Sequence, residues 1–304
     1  MSRNNNRGGG DFTADTTILQ DESPAPVVTS TPGVGPSAGG DPTAAPSFNW
    51  SVPTEFVPIP SGGRFYPPDH PLHNQSTVEI RYMTAKEEDI LTSRSLLKEG
   101  VALDRMLQNL LVDETIRAGS LLIGDKNALV VAARRTGYGA DYTTRIPCPE
   151  CSLAEDFTFD ITDPPTNNFQ EELDTRGLTF NEMGTVVITL PMTKAQVECC
   201  LLTGDDELRI YKESERRARR DKDAPGALTT AIRSYVVGVN GDSSPLTIES
   251  FIQALPARDA RELRNTYAAI VPNVDLTQEY SCPNCGYTAD MEVCLLYTSP
   301  SPRD

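Results

Sequence analysis

Two short cysteine-containing stretches, Cys148-Pro149-Glu150-Cys151 and Cys282-Pro283-Asn284-Cys285-Gly286, decide how the fold of this chain is interpreted. Each stands between two short runs typical of strands, which is the arrangement of a zinc knuckle. A spacer of two residues lets both sulfurs of a pair point to the same side of a tight turn, and two such turns supply four thiolates for a tetrahedral ion. We therefore predict a structural Zn²⁺ site without an open coordination position, with Cys148, Cys151, Cys282 and Cys285 as its ligands.

Two other interpretations of these cysteines agree less well with the flanking residues. A redox Cys-x-x-Cys pair normally begins a helix after a buried strand, whereas Ser152 begins a polar turn that leads into another strand. Separate disulfides are not expected in a reducing compartment. The first knuckle departs from the common pattern only at Ser152, which stands where the second knuckle has Gly286.

The region before the first knuckle reads as a strand followed by helices. Apolar and polar residues alternate over residues 78–82, which predicts a strand. Thr84 and Glu87 then have the spacing of a capping box, so a helix is expected to begin there. Asp125 is expected to be the N-cap of a later helix.

The region after the first knuckle repeats this order in outline. A strand is predicted at residues 186–190, and Thr193 is predicted to open a helix with Gln196 three positions later. Cys199 and Cys200 lie in this apolar stretch and are predicted to be buried packing residues rather than ligands. The shared order of elements is consistent with an internal duplication.

The predicted fold class is therefore α+β, with a mainly helical body of two halves joined by a discontinuous four-cysteine zinc ribbon. The halves are residues 78–163, with the first knuckle, and residues 164–293, with the second. Residues 1–47 contain 6 Pro and 7 Gly and are predicted to be a disordered N-terminal tail. Residues 48–77 are predicted to be an extended aromatic and proline-rich arm. Residues 294–304 resemble a translated sequencing adapter and are predicted to be non-native.

Composition and motifs limit the classes of function. The chain of 304 residues has 43 acidic and 27 basic side chains, a formal charge of -16, which opposes general binding to nucleic acid. The basic residues 216–220 are flanked by acidic ones and predict a salt-bridged exposed helix, and His70 and His73 predict a solvated loop rather than a metal site. No apolar run is long enough to span a membrane. Phosphate loops, nucleophile elbows and HExxH helices are absent, so neither an enzyme nor a small-molecule substrate is expected.

Several stretches of the sequence resemble the baseplate hub proteins of T4-type contractile-tailed phages. The most specific of them is Met83-Thr84-Ala85-Lys86-Glu87-Glu88-Asp89, within residues 78–92. The other similar stretches are residues 60–67, 122–129, 190–193 and 255–259 and the second knuckle.

This resemblance implies a non-enzymatic structural or assembly protein that binds other baseplate hub proteins. It would be made in the cytoplasm of the infected bacterium and placed in the virion tail baseplate. Two alternatives remain open from the sequence: a baseplate assembly chaperone that is absent from the mature virion, and a cellular zinc-ribbon protein that binds nucleic acid through residues 216–220.

Overall fold

A computed structural model describes residues 51–181, 183–220 and 227–292, with the side chains of residues 217–220, 227 and 292 left aside. The predicted disordered tail of residues 1–47 and the adapter-like residues 294–304 lie outside this range, as does Trp50 of the predicted arm.

Helices and small antiparallel sheets make up the described part of the chain, which confirms the α+β class. The strands are β1 Thr54–Pro58, β2 Thr77–Arg81, β3 Asp141–Pro147, β4 Ala154–Asp160, β5 Thr185–Thr189, β6 Gln196–Cys200, β7 Val236–Val239, β8 Thr277–Ser281 and β9 Thr288–Glu292. The helices are α1 Ala85–Thr92, α2 Arg94–Glu99, α3 Ala102–Leu110, α4 Ile123–Tyr138, α5 Phe169–Arg176, α6 Gly204–Arg220, α7 Ala227–Tyr235, α8 Pro245–Ala254 and α9 Ala257–Ile270, with a short 3-10 helix at Ala118–Ser120. Strands β1 and β2, β3 and β4, and β8 and β9 form two-stranded sheets, and β5, β6 and β7 form a three-stranded sheet in that order.

The first hydrophobic core lies between the β1–β2 sheet and helices α3 and α4. The capping box that begins α1 is confirmed, because the backbone N–H of Thr84 donates to Glu87 Oε2 at 3.0 Å. Residues 51–77 of the predicted arm pack into this core, and β1 pairs with β2 along its whole length. The buried side chains that this segment contributes are Val57, Ile59, Tyr66 and Leu72.

Asp125 is not the N-cap of α4, contrary to the prediction. The helix begins two residues earlier, after Leu122, and the Asp125 side chain is buried in the body. It accepts hydrogen bonds from the backbone N–H of Ser61 at 2.9 Å, from the Ser61 hydroxyl at 2.6 Å and from the Tyr66 hydroxyl at 2.8 Å. The carboxylate therefore binds the loop of residues 59–76 to α4 instead of capping its own helix.

The second core lies on one face of the three-stranded sheet, under helices α5, α7, α8 and α9. Here the predicted helix at Thr193 is wrong: residues 196–200 form β6, and their burial alternates as in a strand, with Val197 and Cys199 buried. Thr193 caps no helix, because its backbone N–H and its hydroxyl both donate to Asp259 Oδ2, at 2.9 and 2.8 Å.

The internal duplication is not confirmed by this architecture. A helix follows the Met83-Thr84 sequence, whereas a turn and a strand follow Met192-Thr193, so the shared order of elements that indicated a repeat is lost. In the part of the chain that the structure describes, no helix has the length and apolar character needed to cross a membrane.

Candidate metal centre

The first knuckle is the turn that joins β3 to β4. The backbone N–H of Cys148 donates to the carbonyl oxygen of Leu153 at 2.9 Å, and the N–H of Ser152 donates to the carbonyl oxygen of Cys148 at 2.9 Å. The chain therefore folds back within six residues, and both cysteines lie on the loop of a β-hairpin.

The second knuckle joins β8 to β9 with the same hydrogen bonds. The N–H of Cys282 donates to the carbonyl oxygen of Tyr287 at 2.8 Å, and the N–H of Gly286 donates to the carbonyl oxygen of Cys282 at 2.9 Å. Because the spacing of donors and acceptors is identical, the two turns are copies of one local structure.

Ser152 and Gly286 occupy the corresponding position of the two turns, directly after the second cysteine. Both have a left-handed backbone, with φ of 58° at Ser152 and 70° at Gly286. Glycine adopts this conformation without steric cost, whereas an L side chain pays about 1–2 kcal/mol for it. The departure from the common knuckle pattern at Ser152 therefore changes the strain of the first turn and not its shape.

The four predicted cysteines come together in space. Their sulfurs all lie within 4.8 Å of one another, and the two knuckles meet through Cys148 and Cys285, with 3.7 Å between the Sγ atoms, and through Cys151 and Cys282, with 3.8 Å. A tetrahedral ion with metal–sulfur bonds of about 2.3 Å requires sulfur–sulfur edges of about 3.8 Å. A disulfide requires about 2.05 Å, and these cysteines are free. The donor set and its spacing are thus compatible with a tetrahedral metal site.

Backbone amides in the knuckles favour the thiolate form of two of these cysteines. The pKa of Cys282 is lowered to about 6, chiefly by hydrogen bonding from the backbone N–H of Cys285. The pKa of Cys151 is also lowered, chiefly by the backbone N–H of Leu153 and then by the side chain of Asn284. Thiolate is the form of cysteine that binds a metal.

Cys285 differs, because its pKa is raised to about 12. The backbone N–H of Tyr287 favours its thiolate, but desolvation and the adjacent sulfurs of the other three cysteines outweigh this effect. Four thiolates packed this closely repel one another, and a divalent cation among them would cancel the repulsion.

Apolar side chains surround the two inner cysteines. Cys148 and Cys282 are 1 % and 3 % exposed, Cys151 is half-buried and Cys285 is exposed. Around them pack Ile146, Phe157, Tyr280, Tyr287 and Met291. A metal here would be held by four protein sulfurs, which leaves no position for a substrate and fits a structural role.

Comparison of the sequence with known protein families gives one match. The model of the family described as "T4 bacteriophage base plate protein" matches residues 54–295, a span that includes both knuckles and all of the described sheets. The chain belongs to this family. Family membership gives it a role in the phage tail baseplate among other phage structural proteins. No curated protein and no solved structure matched the chain.

Cys199, Cys200 and the two histidines of this base plate family protein lie away from the four-sulfur cluster. Cys199 is buried in the second core as predicted, although on a strand, and burial raises its pKa. Cys200, also predicted to be buried, is only half-buried. His70 stacks on Tyr66 with 4.4 Å between ring centroids, and His73 Nδ1 lies 2.7 Å from the Tyr66 carbonyl oxygen. Both histidines therefore hold the loop of residues 59–76 together.

The basic cluster is described only in part. Arg216 is exposed on α6, and the side chains of residues 217–220 lie outside the described part of the structure.

Sequence reasoning missed the polar residues that hold the two hairpins side by side. Gln278 contacts the backbone of Asp160, and Asn273 contacts Asn167 and the side chain of Asn127. Isolated amide side chains carry no pattern that periodicity or spacing could detect, so only the tertiary structure reveals them.

Proposed function

We propose that this protein is a non-enzymatic structural or assembly component of the tail baseplate hub, which acts by binding neighbouring hub proteins. The observation that carries the proposal is the family match over residues 54–295. The hub location rests on the sequence resemblance to hub proteins, most of all on the stretch that begins at Met83.

We propose further that a structural Zn²⁺ ion binds the four cysteines. Sulfur–sulfur distances of 3.7 and 3.8 Å support this assignment, as do the four soft donors. Bound there, the ion would supply a crosslink between hairpins whose cysteines are 131 and 137 positions apart in the sequence. The ion would thus fix the orientation of β3–β4 against β8–β9. Rigid contact surfaces of this kind suit a subunit of a large assembly.

Exposed apolar side chains are the natural anchors for partner proteins. Phe65 and Tyr66 of the predicted arm are not available, because Phe65 packs against Phe180, with 4.8 Å between ring centroids, and Tyr66 is buried. Phe56 on β1 is 68 % exposed. A large exposed aromatic side chain on a rigid strand can provide binding energy with little loss of conformational entropy.

Quantitative mass spectrometry of purified phage particles and of infected-cell lysate tests the proposal. A structural component is expected in both samples, and a transient chaperone only in the lysate. Immunoprecipitation of the full chain from the lysate should recover baseplate proteins. Recovery of nucleic acid instead, lost at high salt and on replacement of the arginines among residues 216–220, would reject the proposal in favour of a nucleic-acid-binding protein.

A further inference from the structure

The two knuckle hairpins are aligned by a series of contacts that does not involve the cysteines. After β4, residues 160–167 run antiparallel to residues 273–278, which lead into β8. The first contact in the series is mutual: the backbone N–H of Asn167 donates to the Asn273 carbonyl oxygen at 2.9 Å, and the N–H of Asn273 donates to Asn167 Oδ1 at 3.0 Å. Next, the N–H of Asp275 donates to the carbonyl oxygen of Pro165 at 2.7 Å.

Gln278 continues this series toward the knuckles. Its Oε1 atom accepts the backbone N–H of Asp160 at 3.1 Å, and its Nε2 atom donates to the carbonyl oxygen of the same residue. One amide side chain therefore satisfies both backbone groups of the last residue of β4, as a neighbouring strand would do. Gln278 precedes Cys282 by four residues, about 13 Å along an extended strand, so it lies outside the shell of any bound metal.

An aromatic contact lies between the Gln278–Asp160 hydrogen bonds and the four sulfurs. The rings of Phe157 and Tyr280 meet edge to face, with 5.2 Å between centroids and an angle of 64°. Each step of the series thus fixes the position of β8 along β4 before the knuckles are reached. The other end of the series is held to the body by Asn127 of α4, whose Nδ2 atom donates to Asn273 Oδ1 at 3.1 Å.

We propose that Gln278 is a positioning residue that sets the register of the two knuckles, so that the fold assembles the four-sulfur site before a metal binds. The inference rests on the proposed metal site and concerns how that site is formed. In small zinc fingers the metal folds the chain, and the metal-free peptide is unfolded. Here the amide and aromatic contacts bring distant segments together, so the metal binds a folded protein and can be removed without unfolding the body.

Titration of the metal-free full chain with Co²⁺ tests the inference, because tetrahedral thiolate coordination of Co²⁺ has a characteristic visible spectrum. The wild-type protein is expected to bind one Co²⁺ without a change in its far-ultraviolet circular dichroism. Gln278→Leu, which keeps a similar volume and removes both amide groups, is expected to lower the Co²⁺ affinity by about 10-fold, because metal binding must then restore the register that the two lost hydrogen bonds had set. Gln278→Glu keeps the acceptor for the Asp160 N–H but sets a second acceptor against the Asp160 carbonyl oxygen, so a loss of affinity at least as large as that of Gln278→Leu is expected.

The matched control is Gln196→Leu, a similar change at an exposed position of β6, with wild-type affinity expected. The urea midpoint of metal-free Gln278→Leu should remain close to that of the metal-free wild type. The loss of affinity would then result from misaligned knuckles and not from unfolding. Equal Co²⁺ affinities for wild type and Gln278→Leu, or unfolding of the wild type on metal removal, would overturn the inference and leave the metal site in place. Failure of the wild-type protein to bind Co²⁺ would overturn both.

Discussion

The Sγ atom of Cys148 lies 3.7 Å from the Sγ atom of Cys285, although 137 positions separate the two residues. A second cross-knuckle distance, between the Sγ atoms of Cys151 and Cys282, is 3.8 Å and spans 131 positions. Such distances match the edges of a tetrahedron of thiolates around one ion.

Replacing a single knuckle cysteine should abolish stoichiometric metal binding. We expect about one zinc per chain in the wild-type protein and a large loss of zinc in Cys282→Ser, because an alcohol is a poor zinc ligand. Cys200→Ser is the matched control, since Cys200 lies on β6 away from the cluster, and its zinc content should equal that of the wild type. Inductively coupled plasma mass spectrometry gives the ratio of metal to protein. A full complement of zinc in Cys282→Ser would contradict the four-sulfur site.

The left-handed turns predict opposite effects for a reciprocal pair of substitutions. Ser152→Gly should stabilise the protein by about 0.5–1 kcal/mol, because glycine relieves the strain at φ of 58°. The larger backbone entropy that glycine loses on folding offsets only part of this gain. Gly286→Ser should destabilise it by about 1 kcal/mol at φ of 70°, with no steric contact to complicate the result, since a Cβ there meets nothing within 4 Å. Urea unfolding of the metal-free proteins measures both changes. A stabilising Gly286→Ser would show that the conformation of this turn is not the one described.

Tyr66→Phe should destabilise the first core by about 1–3 kcal/mol. The Tyr66 hydroxyl donates to Asp125 and accepts the backbone N–H of Leu122 at 3.0 Å, so its removal leaves two buried polar groups without this partner. Tyr82→Phe serves as the control at a 37 % exposed tyrosine and should change the free energy of unfolding by less than about 0.5 kcal/mol. Equal effects of the two substitutions on urea unfolding would argue against the buried network at Asp125.

His70 should make stability depend on pH in the weakly acidic range. Its Nδ1 atom accepts the backbone N–H of Leu72 at 3.2 Å, so this nitrogen carries no proton in the folded protein. Burial lowers the pKa of His70 below 6.5, and nearby Asp69 opposes the shift only in part. The stabilising contribution of neutral His70 is therefore complete above the unfolded pKa and is lost as the pH falls through the lower pKa of the folded protein.

Urea unfolding at about pH 8 and about pH 5 checks this dependence. His70→Phe keeps a ring to stack on Tyr66 but cannot titrate, so the loss of stability between the two pH values should be smaller in the variant than in the wild type. A loss of the same size in both proteins would assign the pH dependence to other groups.

Phe56→Ala should weaken binding to baseplate partners without affecting the fold. At 68 % exposure the ring contributes little to the core, so the melting temperature should change by no more than about 2 °C. If Phe56 anchors a partner, recovery of baseplate proteins in a pull-down should fall several-fold. Met183→Ala is the control, at a side chain that is 83 % exposed elsewhere on the surface. Unchanged recovery with Phe56→Ala would remove this residue from the interface.

Local patterns predicted the elements whose side chains interact within a few residues. The capping box of Thr84 and Glu87 and the strands on both sides of each knuckle are of this kind, because their hydrogen bonds form within one turn or one hairpin. Each predicted cysteine pair also lies on a tight turn, because the hydrogen bonds of that turn close within six residues.

Two local predictions failed because a distant residue took the predicted hydrogen-bond partner. Thr193 has the spacing of a helix cap, but Asp259, 66 positions away, takes its donors and leaves the following residues free to pair as β6. Asp125 has the chemistry of an N-cap, but Ser61 and Tyr66 bring it three hydrogen-bond donors inside the core. At Thr193, a carboxylate from α9 outweighed the local preference for a helix cap. At Asp125, a loop packed against the side chain did so.

The amino-acid sequence by itself determined that this protein is an acidic α+β chain with two cysteine turns of one design, because charge, periodicity and short spacers are local properties. Only the tertiary structure decided that the turns face each other and which residues align them. Gln278 and Asp160 are 118 positions apart, and no local preference favours their pairing. Bringing these two residues together costs the entropy of closing a long loop. Packing of the whole body offsets this cost, because the many contacts that form together all depend on the same loop closure.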